Sequence, residues 1–568
     1  MRGTRLNTLI LYIVLLVTLT VCAYGNVYNQ HYGQAAPISV ETPKAILQQG
    51  SAGTSIIYTN STSAKISVST PLGLDYGKAF KTSNVRVSTT SGAPVDDSEA
   101  VLNITLAADS TVFAIYNAGN MHGSIEDYRG KGCAINIDGV DVAFSWQSPY
   151  SSNTANSVTV ICAANLTAGF HTIKGRFFAN SAGATVGIDI RQIVAFWFPN
   201  VVAQYIRSTT ASATNSGTPV DDPQAVLTVT PSSDSIAFIV YNVGNRHAST
   251  EPARGKGITI NVDGADVATR QWQSPYSGNY ANSVTIAYAC SLKAGYHTVK
   301  GRFFSNAAGS TTTINERQLM VFCFPASLIT YGFIQSTTSV STYSSTPIDD
   351  AQAVLSHVLT EDSDSLIMYV GGNPHGASEN YRGKGVQLQI DDIDKSNSVS
   401  WQSPYSNNYA DSVTSLWCEQ LAASFHIIKG RFFTNNMGFT VTISHRQLLI
   451  LSFPKLASYD YVLKIANQVT NAWKVRLRAY SQSNIERFSS CTIYFYNGGG
   501  VSNQIYILNG EYNQQYGSWY DLASLGTVYI ALTVSTSSVG FTQIHAYLEV
   551  LVPETSTYNL MVITFEFS

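Results

Sequence analysis

Apolar and polar residues alternate along much of this chain with a period of two. Cys133, Ile135 and Ile137 fall on one face of a run, and Ala134, Asn136 and Asp138 on the other. The alternation returns with Ile258, Ile260 and Val262 against Thr259, Asn261 and Asp263, and with Val386, Leu388 and Ile390 against Gln387, Gln389 and Asp391. Successive side chains of a strand point to opposite faces, so the pattern predicts half-buried antiparallel strands. Asp138-Gly139 closes the first run and Asp263-Gly264 the second; Asp-Gly is a preferred pair for a tight hairpin turn. Further strands are predicted at TVFAIYN (111–117), NSVTVIC (156–162), FHTIKGRFF (170–178) and TVGIDIRQIVAFWF (185–198), separated by Gly, Asn and Ser. No stretch carries an apolar stripe of helical period with caps. Seven or eight short strands in about 115 residues make a sandwich or jelly roll.

The pattern is written three times. RGKG stands at 129–132, 254–257 and 382–385, WQSPY at 146–150, 272–276 and 401–405, and KGRFF at 174–178, 300–304 and 429–433. PVDD at 94–97 and 219–222 returns as PIDD at 347–350, and Arg-Gln at 191–192, 317–318 and 446–447 opens an apolar strand that ends in Phe-Pro. Each landmark recurs after 125 to 129 residues (129 to 254; 272 to 401). Solenoid repeats run to about 50 residues, so each copy is long enough for its own core. The expected fold is all-β: tandem antiparallel sandwich or jelly-roll domains, as beads on a string, over 83–200, 204–327 and 330–456.

The flanks read differently. Residues 1–25 place Arg2 and Arg5 before LILYIVLLVTLTVCA, with small residues around Ala23-Tyr24-Gly25. This is the form of a secretory signal, or of an uncleaved N-terminal anchor, and places the protein outside the cell or on its surface, with the membrane touched only through this segment. Residues 26–82 hold two or three strand-like runs, too few for a core, while 457–568 holds YDYVLKI, WKVRLRAY, CTIYFYN, TVYIALTV and further runs. The expectation is one split sandwich interrupted by the repeats. The rival is a free N-terminal arm that completes a neighbouring subunit's sheet and builds filaments by strand addition.

Two resemblances follow from these residues. The closing pair FHTIKGRFF and TVGIDIRQIVAFWF, a strand opened by Gly-aromatic-His, a polar hairpin and a strand with an inward Arg, resembles the end of jelly-roll modules in virion, fibre and TNF/C1q-like proteins. That resemblance covers about 30 residues per copy and implies a trimer-forming or array-forming sandwich used for contact. The SAKISV and YDYVLKI runs of the flanks resemble a host domain of archaeal secreted surface proteins.

Composition narrows the chemistry. Charged residues are 12% of the chain, about half of the usual 25%. Net charge near −3 leaves no basic footprint for nucleic acid. Six cysteines follow the signal, at 133, 162, 290, 323, 418 and 491, and they fall at no shared position. Cys133 with Cys162 and Cys290 with Cys323 are either private disulfides, which export permits, or buried small hydrophobes. Asn60, Asn103 and Asn165 head glycosylation sequons.

Five constellations bear on function. The Asp pairs Asp96-Asp97, Asp221-Asp222 and Asp349-Asp350 offer carboxylates to calcium, the one cofactor considered, or form turns that bond their own backbone. His122, His247 and His375 share a loop and His171, His297 and His426 share a strand, where hydrogen-bonded structural roles are expected. RGKG is an anion cradle or a solvated loop. The rings of Trp146 and Tyr150, Trp272 and Tyr276, and Trp401 and Tyr405 either stack on sugars and partner proteins or plug the sandwich core. Lys174 and Arg176, with their counterparts, are expected to pair with carboxylates on neighbouring strands. No nucleophile elbow, metalloprotease helix or paired catalytic carboxylates are found, so catalysis is not expected. The sequence points to a secreted or cell-surface structural or adhesive protein, partnered by other surface proteins or by itself. A multivalent carbohydrate-binding protein and a strand-addition filament subunit are the alternatives.

Overall fold

In the computed structural model the chain divides into two compact units, residues 1–75 with 456–568, and residues 76–455. The structure describes residues 76–454, apart from 121–129, 149–155, 180–182, 200, 246–254, 275–280, 306–308, 374–382, 404–410 and 436, and the strand backbones of the other unit. All described regular structure is strand.

In the unit 76–455 each copy is one sandwich of two main sheets with a small two-stranded sheet beside them; both main sheets have four strands in the first and third copies, and one has five in the second. The first copy sets the strands Asn156–Leu166, Ser110–Asn120, Ile190–Phe198 and Gly77–Ser83 side by side. They face Val95–Leu106, Gly169–Ala179, Lys131–Ile137 and Val140–Gln147. Apart from the hairpin Lys131–Ile137 to Val140–Gln147 within one sheet, the strands cross between the two main sheets in jelly-roll order, and the second and third copies repeat that order. Gly77–Ser83 pairs with Ile190–Phe198, so the first sandwich opens ahead of residue 83. The alternating runs place Ile135, Ile258 and Leu388 in three separate cores, but they are not half-buried. Lys131–Ile137, Lys256–Val262 and Lys384–Ile390 are buried at every position, and the polar face is covered too, with Asn136 bonded to Asp141 and Asn261 to Asp266. The hairpin turns have positive φ at both residues, 50° and 89° at Asp138-Gly139 and 49° and 87° at Asp263-Gly264.

Tandem order along the chain does not become a string in space. One sheet of each sandwich buries both of its faces, the inner one in its own core and the outer one against another module. Asn117 of the first module donates to Ser400 Oγ at 2.7 Å and to the Thr414 carbonyl at 2.9 Å in the third. Asn242 of the second donates to the Thr159 carbonyl of the first at 3.1 Å. Gln271 of the second donates to Gln447 of the third at 3.1 Å. First meets third, second meets first and third meets second, so the three head-to-tail interfaces close into a ring. On its axis the three Phe-Pro phenylalanines form a triangle: Phe198 lies 4.9 Å from Phe324 and 5.5 Å from Phe453, which are 5.2 Å apart.

In the other unit Lys44–Leu47 pairs with Leu463–Asn467, and Ser63–Val68 runs parallel to Thr557–Phe567. Strands from before and after the repeats therefore share both of its sheets.

Candidate functional site

The recurrent motifs meet at two places, inside each sandwich and between sandwiches. Inside, the acidic pair is split by the strand alternation. Asp97 points inward, where Tyr116 Oη donates to Asp97 Oδ2 at 2.7 Å and Arg191 Nε lies 2.8 Å away, all fully buried. Burial pushes the Asp97 carboxyl up, with Arg191 and Tyr116 pulling against it, and burial raises the Tyr116 phenol well above its ordinary value. Tyr241, Asp222 and Arg317 repeat this triad, as do Tyr369, Asp350 and Arg446. Asp96 points outward to Lys174 at 2.7 Å and Arg176 at 2.9 Å, as Asp221 does to Lys300 and Arg302 and Asp349 to Lys429 and Arg431. The two carboxylates of a pair thus serve opposite faces and share no cation position. No group of three or more His, Cys, Asp or Glu among the described residues is arranged to hold a metal ion.

KGRFF is explained by contact. A Cβ on Gly175 would lie 2.6 Å from the Tyr116 ring, so only glycine lets the triad tyrosine cross that strand. One on Gly132 of RGKG would lie 2.4 Å from Phe178. Lys131, Lys256 and Lys384 are fully buried strand residues, and this part of RGKG is neither a solvated loop nor an anion cradle. Arg129, Arg254 and Arg382 lie outside the described residues.

Between sandwiches, WQSPY docks each module on the next. Trp146 stands edge-on to Phe178 at 5.9 Å and packs with Ala281 of the second module. Trp272 stands edge-on to Phe304 at 5.6 Å and to His445 of the third at 4.7 Å. Trp401 meets Phe433 at 4.7 Å and packs with Ile190 of the first. The glutamines follow: Gln147 accepts from Ser283 N at 3.1 Å and Gln273 from Ser412 N at 3.2 Å. All three indoles are buried, so none presents a free stacking face. Their partners Tyr150, Tyr276 and Tyr405 lie outside the described residues, as do His122, His247, His375 and Asn60. Asn103 and Asn165 are exposed strand residues.

His171 ties a hairpin turn to its neighbouring strand. Its Nδ1 lies 2.6 Å from Asp138 Oδ2 and its Nε2 2.7 Å from the Thr167 carbonyl, so both nitrogens face acceptors and the imidazolium fits best. The bond to Asp138 and then the Thr167 carbonyl raise its pKa. On Asp138, burial opposes the bonds from His171 and Thr172 N, and those bonds prevail and lower it. His297 with Asp263 and His426 with Asp391 repeat the device.

Among the described residues, Cys133, Cys162, Cys290, Cys323 and Cys418 form no disulfide. Cys290 and Cys323 lie on the two strands that pair with Ser235–Asn245, each opposite Ala237, two strand spacings apart, or about 10 Å against the roughly 6 Å a disulfide needs. Cys162 is likewise unbridged, with burial pushing its thiol up to about 12.

Sequence reasoning missed the exposed aromatics. Phe170, Tyr296 and Phe425 occupy one position in the three modules and are 66%, 69% and 56% exposed. They are the aromatic that precedes the strand histidine, in Gly169-Phe170-His171, Gly295-Tyr296-His297 and Ser424-Phe425-His426, and its threefold recurrence in a solvent-facing register was the available signal.

No protein-family model and no curated protein matches this chain. Among solved structures it is similar to PNGF-II at 9% identity and a TM-score of 0.22, over 77% of this chain and 98% of that one. It is also similar to the protein of "The Triple Jelly Roll Fold and Turret Assembly in an Archaeal Virus", at 11% identity and 0.14, over 76% and 90%. Infectious bursal disease virus VP2 follows at 10% and 0.17, over 86% of each chain. At such TM-scores the likeness carries no argument about this chain.

Proposed function

We propose that this chain is an exported structural or adhesive component of a cell surface, a stiff block of three sandwiches whose role is contact and not catalysis. One observation carries the reading. Among the described residues the shared motifs serve to hold a module together, as in the Tyr116–Asp97–Arg191 triad, or to join it to the next, as Trp146, Gln147 and Phe198 do. The partners are other surface proteins or further copies of the chain. Fractionating cells and imaging the purified protein by electron microscopy tests it. Ordered arrays or fibres on the envelope support the reading, and soluble particles free of the envelope overturn it. A cysteine pair at Ala64 and Ile563, which face each other in register, separates the strand-addition variant. Bonds between chains support filaments, and bonds within one chain oppose them.

The second reading is multivalent carbohydrate binding, now favoured by Phe170, Tyr296 and Phe425 and not by the indoles. Three equivalent exposed rings suit stacking on sugars with avidity. Binding on a glycan array that disappears when all three are changed to Ser supports it.

A further inference from the structure

In every module the first residues of two strands from opposite sheets meet at one end of the sandwich. Lys131 opens Lys131–Ile137, Asn156 opens Asn156–Leu166, and Lys131 Nζ donates to Asn156 Oδ1 at 2.9 Å. Lys256 makes the same bond to Asn282, and Lys384 lies 2.8 Å from Asp411 Oδ1. All six side chains are fully buried.

The partner changes between copies while the lysine does not. The partner is a carboxamide in two modules and a carboxylate in the third. What they share is an acyl carbon, Cγ, held against a sealed amine. Cys133, Cys162, Cys290, Cys323 and Cys418 are unbridged, so no disulfide between these residues ties the two sheets of any module.

We propose that these pairs close into intramolecular isopeptide bonds. In its amine form Nζ of Lys131 attacks Cγ of Asn156, and the Nζ–Cγ bond forms as the Cγ–Nδ2 bond breaks. The proton lost from Nζ passes to Nδ2, which leaves as ammonia; Lys256 and Asn282 react alike. In the third module Lys384 and Asp411 form an ion pair at 2.8 Å; the ammonium passes one proton to the carboxylate, the resulting amine attacks Cγ of the resulting carboxyl, and water leaves as the Nζ–Cγ bond forms. The exchange is redox-neutral and needs no co-reactant. Each product is a buried secondary amide joining residues 25, 26 or 27 positions apart. It pins one sheet to the other and restricts the unfolded chain as a disulfide would. The inference stands independently of the surface role proposed above.

Peptide mapping of the full chain, denatured and digested with trypsin, tests it. The expected result is three branched peptides. Those joining Lys131 to Asn156 and Lys256 to Asn282 are each lighter by one ammonia than their linear parts, and that joining Lys384 to Asp411 by one water. In K256R the Lys256–Asn282 branch disappears while the other two persist, a readout in mass that a loss of stability does not imitate. Linear peptides cleaved after Lys131, Lys256 and Lys384 in the unaltered chain overturn the proposal, as does a branch at Asn282 that survives K256R.

Discussion

Asp96 and Asp97 are neighbours of the same type with opposite fates, and stability should tell them apart. Asp97 pairs with Arg191 where neither is exposed, and breaking a buried pair leaves an uncompensated charge, at about 3–5 kcal/mol. Asp97→Ala should therefore lower stability by that amount in denaturant unfolding, while Asp96→Ala at the half-exposed network costs about 1 kcal/mol or less. The histidines set a pH window. His171, His297 and His426 have raised folded pKa values, so their contribution is full below the unfolded value of about 6.5 and is lost as pH rises through the folded one. His357 and His445 are pushed down to about 4 by burial, so theirs is lost as pH falls from about 6.5 toward that value. Thermal unfolding across pH should show a maximum near neutrality. His445→Asn should flatten the acid limb and His171→Gln the alkaline one; an unchanged acid limb in His445→Asn would contradict the burial of that ring against Trp272.

At the scale of elements, the legible parts were those with a single cause. Period-two alternation identifies the strands, though not that Lys131–Ile137 and its counterparts are buried on both faces, and Asp-Gly identifies the hairpin turns of the first two modules. The third turn was not legible because Asp391-Asp392 has no glycine, yet both residues have positive φ, 50° and 62°. Asp392→Gly removes that strain and only an exposed pairing with Lys429, so a change between neutral and about 1 kcal/mol stabilising is expected. WQSPY was half legible. The sequence posed exposed binding against burial, and the buried Trp272 ring makes Trp272→Ala an expected loss of roughly 3–5 kcal/mol. A melting temperature unchanged in Trp272→Ala would restore the exposed-ring reading. The strand IRQIVAFWF carried the most overlooked signal. A strand with one wet face alternates, whereas Val194, Ala195 and Phe196 form a continuous apolar run because both faces are buried.

At the scale of the molecule, the repeat period gave the modules but not their arrangement. Length near 126 shows that a copy has its own core, and it is silent on a second, shared one. The shared one is built from Phe198, Phe324 and Phe453, whose Phe-Pro endings recur in the sequence but whose mutual contact depends on ring closure. An isolated module of residues 204–327 would leave Phe322, Phe324 and Trp272 without their neighbours, so it should self-associate as a large apolar patch does. Ring closure itself is tested most directly by small-angle X-ray scattering on residues 76–455. A closed ring of these 380 residues predicts the radius of gyration of one compact body, about 21 Å, with a single-peaked distance distribution. A much larger radius, with separate peaks at module spacing, would mean three beads on a string and would contradict the account.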